Sequence, residues 1–240
     1  MPVSQTKSIL TVGVMGGMGP DATVDFMAKV LAATPAGSDQ DHVHMLIDHN
    51  PHVPDRTRAI LGDGGDPGSV LARMASQLQQ AGADFIVMPC NTAHAYQPDI
   101  EAAIDIPFIS IIDETVAACG GKAAVGLLAT KGCLVSGIYQ AALGAAGIET
   151  IVPDDDQVTE LANLIAAIKT GDRGPPVGAG MKQLAEALTA RGAEAVIAGC
   201  TEIPLVLDQS MLNVPLISST DILAEATVTY ALGERTLDSK

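Results

Sequence analysis

Aromatic residues are scarce in this sequence. Phe, Trp and Tyr make up 2% of the 240 residues, and Trp is absent. Sites that stack nucleic-acid bases depend on exposed aromatic side chains, so a base-stacking surface is not expected. Lys and Arg are also few, 13 against 28 Asp and Glu, and the resulting net charge of −15 repels phosphate backbones and anionic membranes. The composition therefore argues against nucleic acid and membrane as partners.

Long apolar runs and closely paired cysteines are missing as well. No stretch reaches the roughly 18 consecutive apolar residues of a membrane span, and the first residues contain no apolar run of signal-peptide length. The cysteines, at positions 90, 119, 133 and 200, form no C-x-x-C pair, which disfavours zinc ribbons and thioredoxin-like sites. We expect free thiols in a reducing cytoplasm.

The sequence does contain a regular alternation of two kinds of segment. Hydrophobic residues make up 48% of the chain, enough for a core built from Ala, Val, Leu, Ile and Met. Short runs rich in Val and Ile predict strands buried on both faces, at 9–15, 43–47, 85–88, 108–112, 123–128 and 195–198. Amphipathic Ala-rich segments between them predict crossover helices, at 70–81, 139–146 and 181–190. This alternation predicts an α/β fold with parallel sheets flanked by helices.

The two halves of the chain repeat one another. Residues 82–90 (GADFIVMPC) align without a gap on residues 192–200 (GAEAVIAGC), 110 positions later. Residues 106–110 (IPFIS) match residues 214–218 (VPLIS) at an offset of 108. Any two buried strands share apolar letters, but that does not account for Gly-Ala-acid before both strands and Cys after them. These matches indicate a duplication.

The duplication predicts the architecture of the chain. We predict two similar lobes related by a pseudo-twofold axis, spanning residues 1–116 and 117–219, with a C-terminal helix at 220–240 packing back on the first lobe. Ligands of parallel sheets bind beyond the carboxyl ends of the strands. Because Cys90 and Cys200 both lie at the ends of predicted strands, we expect their thiols to face one ligand across the cleft between the lobes.

Two thiols on opposite sides of one carbon suit proton transfer. Hydroxyl or amide side chains and a predicted helix start follow both Cys90 and Cys200, and the free N–H groups of a helix start lower a thiol pKa and hold carboxylates. A single buried cysteine would more simply belong to the core, and a disulfide would need an oxidising compartment. A thiolate that removes a proton from one face and a thiol that donates one to the other would invert a stereocentre without a metal.

Four segments resemble the aspartate/glutamate racemase superfamily. They are 13–20 (GVMGGMGP), 53–57 (VPDRT), 88–94 (MPCNTAH) and 199–204 (GCTEIP), and their order and spacing agree over nearly the whole chain. Segment 53–57 is similar to the arginine loop of the aspartate racemase branch. Glutamate racemases typically carry His two residues after the second cysteine, where this chain has Glu202, as aspartate racemases do. The resemblance implies a cytoplasmic, homodimeric isomerase that needs no pyridoxal phosphate or other cofactor and acts on a small acidic amino acid, in the first place aspartate.

The resemblance also implies roles for individual residues. Cys90 and Cys200 are expected to be the catalytic pair, alternating as base and acid. Arg56 is expected to bind a substrate carboxylate with its forked guanidinium, the alternative being a surface salt bridge in a Pro-bounded loop. Lys169 matches a lysine near the side-chain carboxylate, the alternative being a simple helix end. The other expected substrate-binding residues are Met18, Asn91, Thr92, Thr130, Thr201 and Glu202, with Gly17 lining the cleft and Asp48, His49 and Asn50 in supporting positions.

Several other functions are open at this point. A glutamate racemase, a broad-specificity racemase, a hydantoin racemase or a cis–trans isomerase of the superfamily would also use two cysteines, although Glu202 and the 53–57 loop count against the last two. Arylmalonate decarboxylases resemble this fold but keep one catalytic cysteine. A lobe-closing amino-acid binding protein would need carboxylate ligands but no paired thiols.

Two further patterns point to other kinds of site. Residues 17–22 (GMGPDA) fit the G-x-G-x-x-A pattern of a dinucleotide site after a strand, but the acidic partner expected about 20 residues later is ambiguous. His42, His44, His49 and His52 cluster in sequence, yet in a strand His42 and His49 would point to opposite faces. We therefore predict neither a nicotinamide cofactor nor a metal.

Overall fold

The computed structural model describes residues 9–237, and the strands in this part of the chain form two parallel four-stranded sheets. Each of the six apolar runs that were predicted as strands overlaps one of these strands. The first sheet contains β1 (Val12–Gly16), β2 (Met45–His49), β3 (Phe85–Val87) and β4 (Phe108–Ile109). The second contains β5 (Ala124–Ala129), β6 (Glu149–Ile151), β7 (Val196–Gly199) and β8 (Leu216–Ser218).

The two sheets have the same strand order. It is β2-β1-β3-β4 in the first and β6-β5-β7-β8 in the second, so each strand corresponds to the one four places later. The pairing agrees as well, since β1 pairs in parallel with β2 and β3, as β5 does with β6 and β7. The prediction of an α/β fold with two similar lobes is confirmed.

Helices connect the strands and cover the sheets. The segments predicted as helical at 70–81, 139–146 and 181–190 fall on the helices Gly68–Gln80, Ile138–Ala145 and Pro175–Ala190. Within residues 9–237, no helix is both long enough and apolar enough to cross a membrane. The α-helices are α1 (Pro20–Ala33), α2 (Arg56–Ile60), α3 (Gly68–Gln80), α4 (Gln97–Ala102), α5 (Ile111–Ala118), α6 (Lys131–Ser136), α7 (Ile138–Ala145), α8 (Asp155–Lys169), α9 (Pro175–Ala190) and α10 (Ser219–Ala231).

The strand predicted at 108–112 is wrong in its second half. β4 ends before Ser110, whose hydroxyl accepts a hydrogen bond from the backbone N–H of Asp113 at 3.3 Å and so starts α5. The second lobe repeats the arrangement, with the Ser218 hydroxyl accepting from the N–H of Asp221 at 3.4 Å to start α10. A continuous apolar run does not distinguish a strand from a buried helix, and here the serine cap separates the two.

The C-terminal helix is shorter than the predicted segment 220–240. α10 ends at Ala231 because Gly233 adopts a left-handed conformation (φ 63°) that stops a helix. Residues 238–240 lie outside the described residues, as do residues 1–8. α10 packs against α1 and α5, and its last carbonyl accepts a hydrogen bond from the N–H of Leu10 at 2.9 Å. The last helix therefore covers elements of the first lobe.

One hydrophobic core is shared by both lobes. It includes Val12 and Val87 from the first sheet together with Leu127 and Ile197 from the second. The opposite face of each sheet packs against its own helices, α3 in the first lobe and α8 and α9 in the second. Since side chains alternate along a strand, each sheet contributes one face to the shared core and one to its own helices. The shared core fixes the carboxyl ends of the two sheets relative to each other.

Candidate active site

A small pocket lies where the carboxyl ends of the two sheets meet. The structure brings together in its lining every side chain predicted for the site, namely Cys90, Cys200, Met18, Arg56, Asn91, Thr92, Thr130, Lys169, Thr201 and Glu202. Asp55 and Thr57 also line the pocket, and sequence reasoning did not single them out although they flank Arg56. Among the described residues predicted in supporting positions, Asp48, His49 and Asn50 do not line it, and Gly17 lines a neighbouring cavity.

A buried histidine fixes the backbone at Cys90, which follows β3 and is 5% exposed. The N–H of Ile111 donates to Nε2 of His94 at 3.1 Å, so the ring proton must lie on Nδ1, which donates to the Cys90 carbonyl at 2.8 Å. Burial lowers the pKa of His94 to about 4, so the ring is neutral at pH 7. His94 is therefore a rigid support for Cys90.

The thiol of Cys200 is held differently. It follows β7 and donates a hydrogen bond to Oε2 of Glu202 at 2.9 Å, with both side chains buried. Burial raises the pKa of the Cys200 thiol well above its ordinary value, and the negative charge of Glu202 raises it further, while the Lys169 ammonium works in the opposite direction. Cys200 is therefore kept as a protonated thiol.

Lys169 is both the last residue of α8 and a lining residue of the pocket. Its Nζ lies 3.9 Å from Oε1 of Glu202, an oxygen that has no hydrogen-bond partner among residues 9–237. Burial lowers the pKa of Lys169, but the charge of Glu202, and after it those of Cys200 and Cys90, raise this pKa by more. The lysine is therefore a permanent positive charge at the pocket.

Arg56 presents a buried, unused donor. Its Nη1 donates to the carbonyls of Val53 and Pro54 at 3.0 and 3.1 Å, which tethers one side of the guanidinium. Its Nε is buried and has no hydrogen-bond partner in the described part of the chain, where no carboxylate forms a salt bridge with Arg56 either. Because an unpaired buried donor is costly, a ligand carboxylate would relieve a penalty as well as bind a charge.

Two contacts hold the second lobe against the first beside the pocket. The hydroxyls of Thr92 and Thr130 lie 2.7 Å apart, and Thr130 also accepts from the N–H of Cys133 at 3.2 Å, capping α6. A Cβ at Gly132 would lie 2.7 Å from the Cα of Thr57. Only glycine thus lets the start of α6 approach the segment that carries Arg56.

A glycine turn after β1 places Met18 in the pocket. Gly17 has φ 90°, and a Cβ there would lie 2.4 Å from the carbonyl carbon of Asn50. The N–H of Gly17 donates to Oγ1 of Thr23 at 2.8 Å, and the N–H of Asn50 donates to the carbonyl of Gly16 at 3.1 Å. Asn50 therefore supports the site with its backbone, against which Gly17 packs directly.

The side chain of Asn91 is held by two residues that are distant in sequence. The Tyr139 hydroxyl donates to Oδ1 at 2.6 Å, and Nδ2 donates to Oγ of Ser219 at 3.0 Å. Ser219 in turn donates to the carbonyl of Ala198 at 2.8 Å. Sequence reasoning missed Tyr139 and Ser219. The sequence did contain one indication of Ser219, because this polar residue stands where the first half of the chain has the apolar Ile111.

The lining combines two thiols, two cationic side chains and several hydroxyl and amide groups in one small pocket. Guanidinium and ammonium groups bind carboxylates, and Glu202 and Asp55 balance part of their charge. Among residues 9–237, no three His, Cys, Asp or Glu side chains are grouped so that they could hold a metal ion. The arrangement suits a small zwitterion or dianion with one carbon between the sulfurs.

Comparisons with curated proteins give the same picture. RacX of Bacillus subtilis, a broad-specificity amino-acid racemase, is 34% identical over 227 residues, which cover 92% of this chain and 98% of RacX. The glutamate racemase of Deinococcus radiodurans is 26% identical over 83% of this chain and 66% of its own length.

Solved structures and a family model extend the comparison to the fold. The aspartate racemase of Picrophilus torridus superposes with a TM-score of 0.82 at 31% identity, covering 95% of this chain and 96% of that one. An aspartate racemase homologue from Pyrococcus horikoshii gives a TM-score of 0.76 at 25% identity, covering 92% and 98%. The model of the family described as Asp/Glu/Hydantoin racemase matches residues 15–227. This chain therefore belongs to the Asp/Glu/hydantoin racemase family, as its four motifs predicted.

Proposed function

We propose that this protein is a cofactor-independent amino-acid racemase that inverts the α-carbon of an acidic amino acid, in the first place aspartate. One observation carries the proposal: two buried thiols at corresponding strand ends of two similar lobes, Cys90 and Cys200, share one small pocket with Arg56 and Lys169. A binding protein needs the two cations but not the symmetric thiols. The family and its racemase relatives support the isomerase reaction.

Inversion proceeds in two balanced proton transfers. In one direction the Cys90 thiolate takes the α-proton, and the electron pair of the C–H bond moves into the substrate carboxylate, giving an enolate-like anion. The Cys200 thiol then donates its proton to the opposite face of the α-carbon and becomes the thiolate. The other enantiomer reacts by the reverse sequence, so each sulfur is base in one direction and acid in the other.

The cationic side chains hold the substrate during these steps. Arg56 binds one carboxylate through its free Nε–H, and the Lys169 ammonium neutralises the other. The two cysteines are each 5% exposed, so the reacting carbon is shielded from water, which strengthens every charge interaction around it. Amide and hydroxyl groups of the lining hold the α-carboxylate, namely those of Asn91, Thr92, Thr130 and Thr201, while Met18 and Glu202 close the pocket.

The two sulfurs are not equivalent before substrate binds. The Cys200 thiol donates a hydrogen bond to Glu202, whereas no carboxylate of the described residues accepts a hydrogen bond from Cys90. Burial and the charge of Glu202 raise the pKa of Cys200, so this thiol is suited to act as the acid for the enantiomer whose α-hydrogen faces Cys90.

A broader substrate range is the second candidate. A larger cavity of about 420 Å³ adjoins the pocket and shares Asp55, Arg56, Lys169 and Glu202 with it, so a longer side chain has space beyond these four residues. The similarity to RacX favours the same alternative. Relative kcat/KM values for aspartate, glutamate, alanine and lysine decide between them. A preference for aspartate of at least ~100-fold, which corresponds to about 2.7 kcal/mol, would support the narrow range.

The test is hydrogen exchange at the α-carbon. The protein is incubated in deuterated water with L- and D-aspartate and then with both glutamates, while NMR follows the α-proton signal and chiral chromatography follows inversion. We expect Cys90→Ala and Cys200→Ala each to abolish inversion, and Cys119→Ala, which removes another buried thiol that does not line the pocket, to retain it. Retained α-proton signals for every acidic amino acid would refute the proposal, as would full activity of either active-site variant.

A homodimer in the cytoplasm completes the proposal. Catalysis needs both thiols reduced, and all four cysteines are unbridged, as a reducing compartment would keep them. Val24 and Leu31, seven residues apart on one face of α1, are 62% and 47% exposed, and such an apolar face is suited to a second copy. Light scattering during size-exclusion chromatography tests the dimer, with Val24→Lys as the disrupting variant.

A further inference from the structure

We infer that Ser219 and Tyr139 are positioning residues that fix the spacing of the two thiols, by tying the strand end that carries Cys90 to the strand end that carries Cys200. The inference rests on the two-thiol racemase proposed above and adds to it two residues that do not line the pocket. It concerns a buried hydrogen-bonded chain that runs behind the site from one lobe to the other.

The tie runs through a single oxygen atom. Asn91 directly follows Cys90, and its Nδ2 donates to Oγ of Ser219 at 3.0 Å. The same Oγ donates to the carbonyl of Ala198 at 2.8 Å, and Ala198 precedes Cys200 by two residues. Two hydrogen bonds thus connect the backbones at the two sulfurs. The residue that links them, Ser219, belongs to the start of α10, an element of neither sheet.

The donors and acceptors leave one arrangement of the Asn91 amide. Ser219 has one hydroxyl proton, which goes to the carbonyl of Ala198, so it can only accept from Asn91. The amide nitrogen must therefore face Ser219, and Oδ1 must face Tyr139, whose hydroxyl donates to it at 2.6 Å. Burial raises the pKa of the Tyr139 phenol, which keeps it a donor. One N–H of the amide is left over for the pocket that Asn91 lines.

This network is rigid because it is fully buried. Asn91 is 2% exposed, and Ser219 and Tyr139 are 0% exposed, so no water can replace a broken bond without cost. Inversion by two bases needs both sulfurs aligned with one α-carbon, and a misplacement of about 1 Å can cost ~100-fold in rate. The first half of the chain has Ile111 at the position of Ser219, so the duplication supplies this tie once and not twice.

Ser219→Ala and Tyr139→Phe each remove one hydroxyl of the tie, and Thr227→Val is the matched control. Thr227 is a fully buried hydroxyl on the same helix, bonded to the carbonyl of Leu223 at 2.7 Å. We expect both tie variants to lower kcat in both directions by ~10- to 100-fold, as a misplacement of the reacting groups does, with KM changed less than about threefold. Thr227→Val keeps the kcat of the unaltered protein.

The decisive readout is where solvent deuterium appears. In deuterated water, aligned thiols place deuterium in the product, since the second sulfur reprotonates the carbon from the opposite face. When the sulfurs are misaligned the carbanion lives longer, and the first thiol returns an exchanged deuteron to the same face. We therefore expect the ratio of deuterium in recovered substrate to deuterium in product to rise by about fivefold or more in both tie variants, because the carbanion then partitions back to substrate.

The possible outcomes distinguish a failure of the proposed tie from a failure of the proposed racemase reaction. If the unaltered protein exchanges no α-hydrogen, the proposed function fails before the variants are compared. If it inverts aspartate and the folded tie variants keep its kcat and its deuterium ratio, the tie is refuted. A fall in kcat with an unchanged ratio would show a merely structural role and would also refute it. Thermal unfolding checks that each variant is folded, and if one of them does not fold, the other decides.

Discussion

Cys200 and Glu202 are joined by a thiol-to-carboxylate hydrogen bond of 2.9 Å, and the other oxygen of Glu202 lies 3.9 Å from the ammonium of Lys169. The thiol proposed as an acid–base group is thereby connected to the cation at the boundary between the pocket and its neighbouring cavity. In the sequence, Glu202 served to separate two branches of a family. In the structure, it has a physical consequence, because after burial its negative charge is the main cause that raises the pKa of the Cys200 thiol.

Replacement of Glu202 tests this consequence. Part of the elevation of the Cys200 pKa comes from the negative charge of Glu202, so Glu202→Gln should let the thiol ionise at lower pH. We expect iodoacetamide to alkylate Cys200 faster at pH 7 to 8 in this variant, with mass spectrometry of the Cys200 peptide as the measurement. We also expect kcat to fall by about 100-fold, within the usual contribution of acid–base groups. Equal alkylation rates in Glu202→Gln and the unaltered protein would contradict the argument.

Arg56 should determine substrate affinity. Arg56→Lys keeps the charge but loses the free Nε–H and the tether to the carbonyls of Val53 and Pro54. A charge-assisted hydrogen bond contributes about 1.5–3 kcal/mol, so kcat/KM for aspartate should fall by roughly 10- to 150-fold in steady-state assays. Arg58→Ala, an exposed arginine in the same helix, is the control and should change kcat/KM less than about twofold, since exposed groups contribute little. An unchanged KM in Arg56→Lys would remove Arg56 from the site.

Gly17 should tolerate no side chain. Gly17→Ala places a Cβ 2.4 Å from the backbone of Asn50, in addition to the strain of a positive φ. Gly147→Ala is the matched control, because Gly147 also has a positive φ (75°) but faces open space. We expect Gly147→Ala to cost about 1–2 kcal/mol in the free energy of unfolding with full activity. Gly17→Ala should cost more and should also lower kcat, because Met18 shifts. Chemical denaturation and steady-state assays measure both effects, and similar losses in the two variants would contradict the steric argument.

Much of the fold could be predicted from the sequence, because strands buried on both faces leave continuous apolar runs and the duplication shows them twice. β6 (Glu149–Ile151) was missed because it is a three-residue edge strand in which only Ile151 is buried. The end of β4 was misplaced because the helix that follows is as apolar as the strand, and the hydroxyl of Ser110 decides where one stops.

Some features of the site could likewise be predicted from the sequence and others could not. Cys90 and Cys200 were recognisable because they recur in a repeated context, and the pocket brings them together with the predicted substrate-binding side chains, but not with Gly17, which lines the neighbouring cavity. The bond between Tyr139 and Asn91 could not be predicted, because it joins residues 48 positions apart that meet only when α7 packs under the first lobe. The tautomer of His94 depends likewise on where folding places the N–H of Ile111.

His94 should make stability depend on pH between its two pKa values. Its pKa is about 4 in the folded protein, where burial disfavours the charged ring, and 6.5 in the unfolded chain. The unfolded state therefore binds a proton first as the pH falls, so this contribution to stability is complete above pH 6.5 and is lost between pH 6.5 and 4. The difference of about 2.5 pKa units corresponds to roughly 3 kcal/mol.

His94→Gln isolates this contribution, since glutamine keeps a donor and an acceptor but does not titrate. Urea denaturation from pH 7 to pH 4 should show the unaltered protein losing about 3 kcal/mol more than His94→Gln does, because the many carboxylates affect both proteins alike. His52→Gln removes an exposed histidine and should follow the unaltered protein. Parallel curves for His94→Gln and the unaltered protein would mean that the folded protein binds the His94 proton as readily as the unfolded chain does. The hydrogen bond from the N–H of Ile111 to Nε2 would then not oppose protonation, which would contradict the support that His94 is argued to give to the backbone at Cys90.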